Sequence, residues 1–272
     1  MLKITAVALA TFMLSAALQT AQANERKFAY TYETSVLPQG ARELELWNTY
    51  QTGKPYFYRQ LNQRVEYEFG LGGNLMTSLY MNYEWKTADS NGDLLNGDAV
   101  NSSSVSISNE WKYKLSDRTA DPIGFGLYGE ATLGLDESEL EGKLLFDKQL
   151  GKTLLAFNAV FEREWESGLQ NGATVTEGES KLEFNLGASF AFMQHFSAGV
   201  EVFNQNLLGA EEGETGHSAL FAGPVVSYTA ENWWATLTFM PQLASLENTA
   251  KGKLDLDEYQ KYEARLLFSF HL

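Results

Sequence analysis

The chain has 272 residues, 44% hydrophobic and 13% aromatic, with 23 Gly, 5 Pro and no Cys; 20 Lys plus Arg against 35 Asp plus Glu leave a formal net charge of −15. That charge excludes a nucleic-acid binder, which needs a basic face for phosphate, and the apolar content excludes wholesale disorder. The lack of cysteine excludes a disulfide scaffold, a thiolate metal site, a thiol nucleophile and a lipid-anchoring Cys.

Met1 to Ala23 reads as a secretory signal peptide. Lys3 gives the positive n-region, Ile4 to Leu14 the apolar h-region, and Ala21-Gln22-Ala23 the small-x-small cleavage site. Thr5, Thr11 and Ser15 interrupt the apolar run, which stops short of the roughly 20 residues that a membrane-spanning helix needs. The mature chain is therefore expected to start at Asn24. Residues 24–40 are expected to form a periplasmic segment or a plug against a barrel mouth, with Pro38-Gln39-Gly40 as the turn that leads into the first strand. Beyond Asn24 no stretch has the length and apolarity of a membrane helix, so an exported chain of this kind is either soluble or a closed β-barrel.

From residue 41 onward the period is two. After a first strand at 41–50, Phe57, Arg59, Leu61, Gln63, Val65, Tyr67, Phe69 and Leu71 share one face, and Tyr58, Gln60, Asn62, Arg64, Glu66 and Glu68 the other. The pattern resumes at Leu75–Lys86 after a Gly-rich turn. It continues through Val105–Lys114, Ile123–Leu133, Leu140–Asp147, Leu155–Trp165 and Lys181–Phe192, then about 196–205, 218–228, 233–243 and finally 259–272. Short connectors (70–74, 116–121, 149–152, 193–195, 230–232) alternate with longer ones (87–101, 166–178, 207–216, 244–257); the brief Gln51–Tyr56 and Asp136–Ser138 fall on the long side by order. This asymmetry, with aromatics near strand ends (Tyr83, Trp85, Trp111, Tyr113, Trp165, Trp233), predicts an all-β fold over 41–272. It is a transmembrane antiparallel up-and-down β-barrel of about twelve strands in the bacterial outer membrane, with short turns on the periplasmic side. A soluble β-sandwich would alternate too, but with its apolar face inward.

Phe28-Ala29-Tyr30-Thr31-Tyr32-Glu33-Thr34-Ser35-Val36-Leu37-Pro38-Gln39-Gly40, continued by Glu43-Leu44-Glu45-Leu46-Trp47, resembles the mature N-terminus of a family of uncharacterised Gram-negative outer-membrane β-barrel proteins. The resemblance implies fold and location and carries no activity or ligand. The last strand, Tyr262 to Leu272, also looks like the C-terminal signal read by the barrel-assembly machinery, with Leu272 where Phe is usual.

With the apolar faces turned to lipid, the other faces enclose the lumen. The candidate lumen-lining residues are Arg64, Glu66, Glu68, Glu84, Glu110, Lys112, Glu130, Glu162, Glu164, Lys181, Glu183 and Arg265. Glu43, Glu45, Glu141, Asp147, Glu201 and Glu263 join them, as do Lys86, Lys114 and Lys143. Acids dominate, so a wet pore of this composition is expected to be narrow or gated, to pass small solutes and to prefer cations. The alternative is a filled, non-conducting barrel held by ion-paired networks and used for structure or surface interaction.

A lipid hydrolase is the remaining class. His195-Phe196-Ser197 has the His-x-Ser spacing but falls at a tight turn without a carboxylate or amide to orient the imidazole, so no catalytic residue is assigned. Three His and no Cys suggest no His-rich metal site, and no cofactor is expected. Asp89-Ser90-Asn91-Gly92-Asp93 fails the EF-hand pattern because Val100 stands where the bidentate acid belongs. Glu211-Glu212-Gly213-Glu214 and Asp255-Leu256-Asp257-Glu258 read as solvated charge runs. The expected partners are outer-membrane lipids and lipopolysaccharide, with Arg59 and Arg163, on lipid-facing parity near strand ends, placed to snorkel to lipid phosphates.

Overall fold

The computed structural model describes residues 24–89, 99–170, 173–208, 216–247 and 252–272. The signal-peptide reading, most of the Asp89–Asp93 loop and the Glu211–Glu214 run lie outside these residues.

Twelve strands follow in chain order: β1 (Arg42–Thr52), β2 (Tyr58–Gly72), β3 (Leu75–Asp89), β4 (Ala99–Ser116), β5 (Gly124–Leu133), β6 (Glu137–Leu150), β7 (Thr153–Gln170), β8 (Ala173–Ala191), β9 (Phe196–Leu208), β10 (His217–Thr229), β11 (Trp233–Ser245) and β12 (Tyr262–His271). Each is antiparallel to its sequence neighbour, and β1 pairs with β12, from Glu43 opposite His271 to Thr52 opposite Tyr262, so the sheet closes into a barrel with no free edge. Closure satisfies every strand's ladder without help from other elements.

Alternation places large apolar side chains outside. Leu79, Met81, Ile107, Leu186 and Leu237 are each at least half exposed, while their strand neighbours Ser78, Tyr80, Ser108 and Thr236 are buried. In β1, Glu43, Glu45 and Trp47 turn inward and are buried. The polarity is the reverse of a soluble fold, whose apolar faces meet in a core.

One end of the barrel, the terminal end, carries the start of β1, the end of β12 and the tight connections; the other is the loop end. The β2–β3 turn is closed by Gly72 (φ 86°), Gly73 (φ 61°) and Asn74 (φ 67°), a left-handed run that Gly and Asn tolerate best. At the β4–β5 turn the Asp117 carboxyl accepts the N–H groups of Thr119 (2.9 Å) and Ala120 (3.1 Å), which hold it below the usual carboxylate range. The Pro38-Gln39-Gly40 turn is tied to β2, with the Gly40 N–H donating to the Gly70 carbonyl (2.9 Å). A Cβ on Gly70 would stand 2.0 Å from the Pro38 carbonyl oxygen, so this close approach requires glycine there.

Three expectations about the loop end are corrected. The segment 166–178 is mostly strand, because β7 and β8 stay paired outward from Glu166 opposite Glu177 through Ser167 opposite Thr176. Its Gly- and Thr-rich composition hid the ladder, since a ribbon with no buried face needs no apolar alternation. The last strand begins at Tyr262 rather than 259, because Gln260 leaves the ladder: its carbonyl accepts from Gln242 Nε2 (3.0 Å) and its side chain reaches Glu263. The Asp255–Glu258 run is not uniformly solvated. Asp255 is 1% exposed and bound to His217 Nδ1 (2.8 Å), and its N–H donates to Gln242 Oε1 (2.7 Å), because the loop folds back over the barrel mouth.

Candidate functional site

Residues 24–37 form neither helix nor strand, yet Phe28, Ala29, Thr31, Glu33 and Thr34 are at most 1% exposed. A buried irregular backbone must find partners for its N–H and C=O groups, and here they come from inward polar side chains of the strands. The Glu201 carboxylate (β9) accepts three consecutive N–H groups, those of Ala29 (3.0 Å), Tyr30 (2.9 Å) and Thr31 (2.9 Å). Asn158 (β7) reads both sides of Tyr32, accepting its N–H at 2.6 Å and donating to its carbonyl at 2.9 Å. Asp147 (β6) accepts the N–H (3.0 Å) and the hydroxyl (2.7 Å) of Thr34, and Thr236 (β11) donates to the Arg26 carbonyl (2.7 Å). These strands stand on different sides of the closed barrel, so the segment runs through the interior.

Its path is a loop that dips in and returns. Asn24 contacts Glu68 (3.3 Å) and Lys27 contacts Thr229 (2.7 Å), both toward the terminal end, and Thr34 and Leu37 lead back to that end. Tyr30 and Tyr32 form the tip at mid-depth. Phe28 enters an apolar pocket of Leu154, Ala156 and Val225, opposite Gly187, where an added Cβ would stand 2.7 Å from its ring.

The tip is held by cations lying over rings. Arg265 covers Tyr30 (3.8 Å), Arg26 (4.0 Å) and Lys143 (4.1 Å) cover Tyr32, and Arg64 covers Tyr80 (4.1 Å); Trp47 has Arg26 at 4.7 Å and Arg64 at 4.8 Å. Cation–π contacts strengthen when desolvated, as these are. The Tyr30 hydroxyl donates to Glu263, and that of Tyr80 to Glu110. This layer of rings and cations crosses the barrel.

On the loop-end side of the layer lies a cavity of about 360 Å³ floored by Tyr30, Tyr32 and Trp47. Of the candidate residues, Arg64, Glu84, Glu130, Glu162, Glu183 and Arg265 border it, and Lys181 borders an adjoining space of about 350 Å³ beneath Tyr259 and Gln260. Lys181 bridges Glu162 and Glu164 at 2.9 Å each, while Arg64 pairs with Glu130 at 3.6 Å. Glu66, Glu68, Glu110 and Lys112 lie elsewhere: each is at most 4% exposed, packed on the terminal-end side of the layer near Asn24.

Trp47 and Glu139, which also border the cavity, were missed in the sequence although strand parity with Glu45 and Glu141 marks both as inward. Strand parity could not mark Tyr30 and Tyr32 as lumen residues, because their segment has no period. The His195-x-Ser197 spacing does not form a dyad: exposed His195 binds the Thr229 carbonyl through Nδ1 (2.8 Å), whereas Ser197 is buried.

Solved structures of similar fold include an outer-membrane channel and an autotransporter domain. An outer-membrane channel from Pseudomonas putida F1 superposes with a TM-score of 0.61 at 10% identity, over 90% of this chain and 100% of that one. The translocator domain of the autotransporter NalP from Neisseria meningitidis does so with a TM-score of 0.54 at 12% identity, over 98% of each chain. At such identities the likeness is one of fold. No curated protein matches the sequence. A family profile does match, over residues 20–272, and the chain therefore belongs to a family of unknown function, DUF6662.

Proposed function

We propose that this chain is a bacterial outer-membrane β-barrel, without enzymatic activity, that acts as a narrow, gated conduit for small solutes with a preference for cations. Residues 24–40 serve as its plug. The observation that carries the reading is the docked segment itself: an irregular stretch held by polar side chains across the lumen, beneath an acidic cavity that opens toward the loop end. Side chains and backbone bound through hydrogen bonds can be exchanged for water, so this closure is reversible in a way that a packed apolar core is not. The apolar exterior supports a lipid environment, and an outer-membrane channel among the proteins of this fold is in keeping with it. Export through the signal peptide, insertion by the barrel-assembly machinery reading the β12 pattern, and contact of Arg59 with lipopolysaccharide phosphates complete the proposal. The Arg59 guanidinium lies 4.9 Å over the exposed Phe57 ring near the loop end.

Planar-bilayer recording tests the conduit. Purified protein is expected to show brief, low-conductance openings whose reversal potential in a KCl gradient reports cation preference. Combined Glu139→Gln, Glu162→Gln and Glu183→Gln shifts that potential toward zero. A silent membrane at every voltage, both for the whole chain and after removal of the plug, leaves a structural barrel and refutes the conduit.

The lipid-facing assignment has its own test. Leu237→Arg on β11 is expected to cost about 2–4 kcal/mol if it lies near the bilayer midplane, seen as lower folding yield into vesicles by heat-modifiable gel migration. An unchanged yield contradicts a lipid-facing position for Leu237.

A further inference from the structure

On the terminal-end side of the ring layer, five carboxylates crowd together with little to neutralise them. The β1–β2 register sets Glu43 opposite Glu68 and Glu45 opposite Glu66. Like charges directly opposite on neighbouring strands repel. Glu110 joins the first row through Ser78, which pairs with Glu68 on one side and Glu110 on the other. One oxygen from each of Glu43, Glu45 and Glu68 falls within 4.8 Å of the others, and the same holds for Glu66, Glu68 and Glu110.

All five are at most 4% exposed, and Glu43 Oε2, Glu45 Oε1, Glu66 Oε2 and Ser78 Oγ have no hydrogen-bond partner. The second oxygens of Glu43 and Glu45 are fixed by indoles: Trp234 Nε1 and Ser269 Oγ (2.5 Å) donate to Glu43 Oε1, and Trp47 Nε1 donates to Glu45 Oε2 at 2.8 Å. Each of these two carboxylates is thus clamped on one side and bare on the other.

The nearby cations make few close ion pairs with these carboxylates. Lys112 Nζ turns to Asn24 Oδ1 (3.5 Å), Arg26 lies on the Tyr32 and Trp47 rings, and His271 Nε2 stands 3.5 Å from Glu43. Among the described residues no Lys or Arg comes within 4.0 Å of the carboxylates of Glu45, Glu66, Glu68 or Glu110. Buried anions without a counter-charge in direct contact are costly.

We propose that this cluster binds one Ca²⁺, with Glu68, common to both triads, as its central ligand. An all-oxygen, carboxylate-rich donor set without His or Cys suits a hard cation. Oxygens around Ca²⁺ lie at about 2.3–2.6 Å and therefore up to about 5 Å from one another, which these spacings match; Mg²⁺ at about 2.0–2.1 Å demands a tighter octahedron. The site is independent of whether the barrel conducts.

The indole contacts supply the probe. Whole protein in detergent, stripped with chelator, is titrated with Tb³⁺ under tryptophan excitation. Saturable sensitised luminescence is expected, displaced by Ca²⁺ and far less by Mg²⁺. Glu68→Gln is expected to lower Ca²⁺ affinity about tenfold or more, whereas Glu164→Gln, in the separate loop-end cluster of Glu137, Glu139 and Glu164, leaves it unchanged. If Glu68→Gln fails to give the folded band on gels, Glu45→Gln replaces it, and native mass spectrometry of the unmutated chain must show one retained Ca²⁺. Absence of both luminescence and retained Ca²⁺ overturns the proposal and assigns the bare oxygens to protonated carboxyl pairs; loss of binding in Glu164→Gln with full binding in Glu68→Gln overturns it equally.

Discussion

Removal of residues 26–37 is expected to turn a mostly closed barrel into a steadily conducting one without unfolding it. The segment contributes no strand, and closure of β1 on β12 does not involve it. The Pro38–Gly40 turn that guides the chain into β1 stays in place, with the Gly40–Gly70 and Ala41–Pro38 backbone bonds intact. What disappears is the ring layer's centre, Tyr30 and Tyr32, together with the Phe28 wedge. Arg265 loses Tyr30, Lys143 loses Tyr32, and Glu201, Asn158 and Asp147 lose their backbone partners, so these five become hydrated polar groups lining a continuous aqueous path. In bilayers the expected result is long-lived openings in place of brief ones, and in liposomes a faster swelling with small sugars. A deletion variant that migrates as a folded barrel but conducts no more than the full chain removes the plug from the account.

Glu201→Ala is expected to loosen the same segment from one remote position. The carboxylate satisfies three buried N–H groups at 2.9–3.0 Å. A buried donor left without its partner costs about 1–3 kcal/mol. Water entering the vacated volume recovers part of this, so a net loss of about 3 kcal/mol in docking is expected, equivalent to roughly a hundredfold rise in the undocked population at about 1.4 kcal/mol per decade. Since the chain has no cysteine, Ala29→Cys gives a unique reporter at a position that is fully buried when docked. Its reaction with a membrane-impermeant maleimide should quicken about a hundredfold in the Glu201→Ala background, and by less in Glu201→Gln, which keeps one acceptor oxygen. An unchanged labelling rate would show that Glu201 does not hold the segment.

The two predictions separate what holds the barrel from what closes it. The ladder is local between sequence neighbours, apart from the β1–β12 seam. The docked segment depends on contacts far apart in sequence, such as Ala29 with Glu201 and Tyr30 with Glu263, 172 and 233 positions away. A perturbation at Glu201 therefore acts on closure and leaves strand pairing alone.

The amino-acid sequence alone determined the strand number, the antiparallel order and the side of each strand that is apolar, because period-two alternation is a property of neighbouring residues and survives any arrangement in space. Leu79 outward and Glu66 inward follow from parity alone. Its limits appeared where parity has no force: in the exposed ribbon at 166–178, and in residues 24–37. The tertiary structure decided the depth at which each inward group sits. Only the closed register could divide Glu66, Glu68 and Glu110, sealed near the terminal end, from Glu84, Glu162 and Glu183 on the cavity wall. Only the fold could show that Glu201, Asn158 and Asp147, scattered over three strands, converge on one irregular stretch of backbone. Depth and convergence depend on how far each strand slides against the next around the whole circuit, and no local pattern of side chains records that sum.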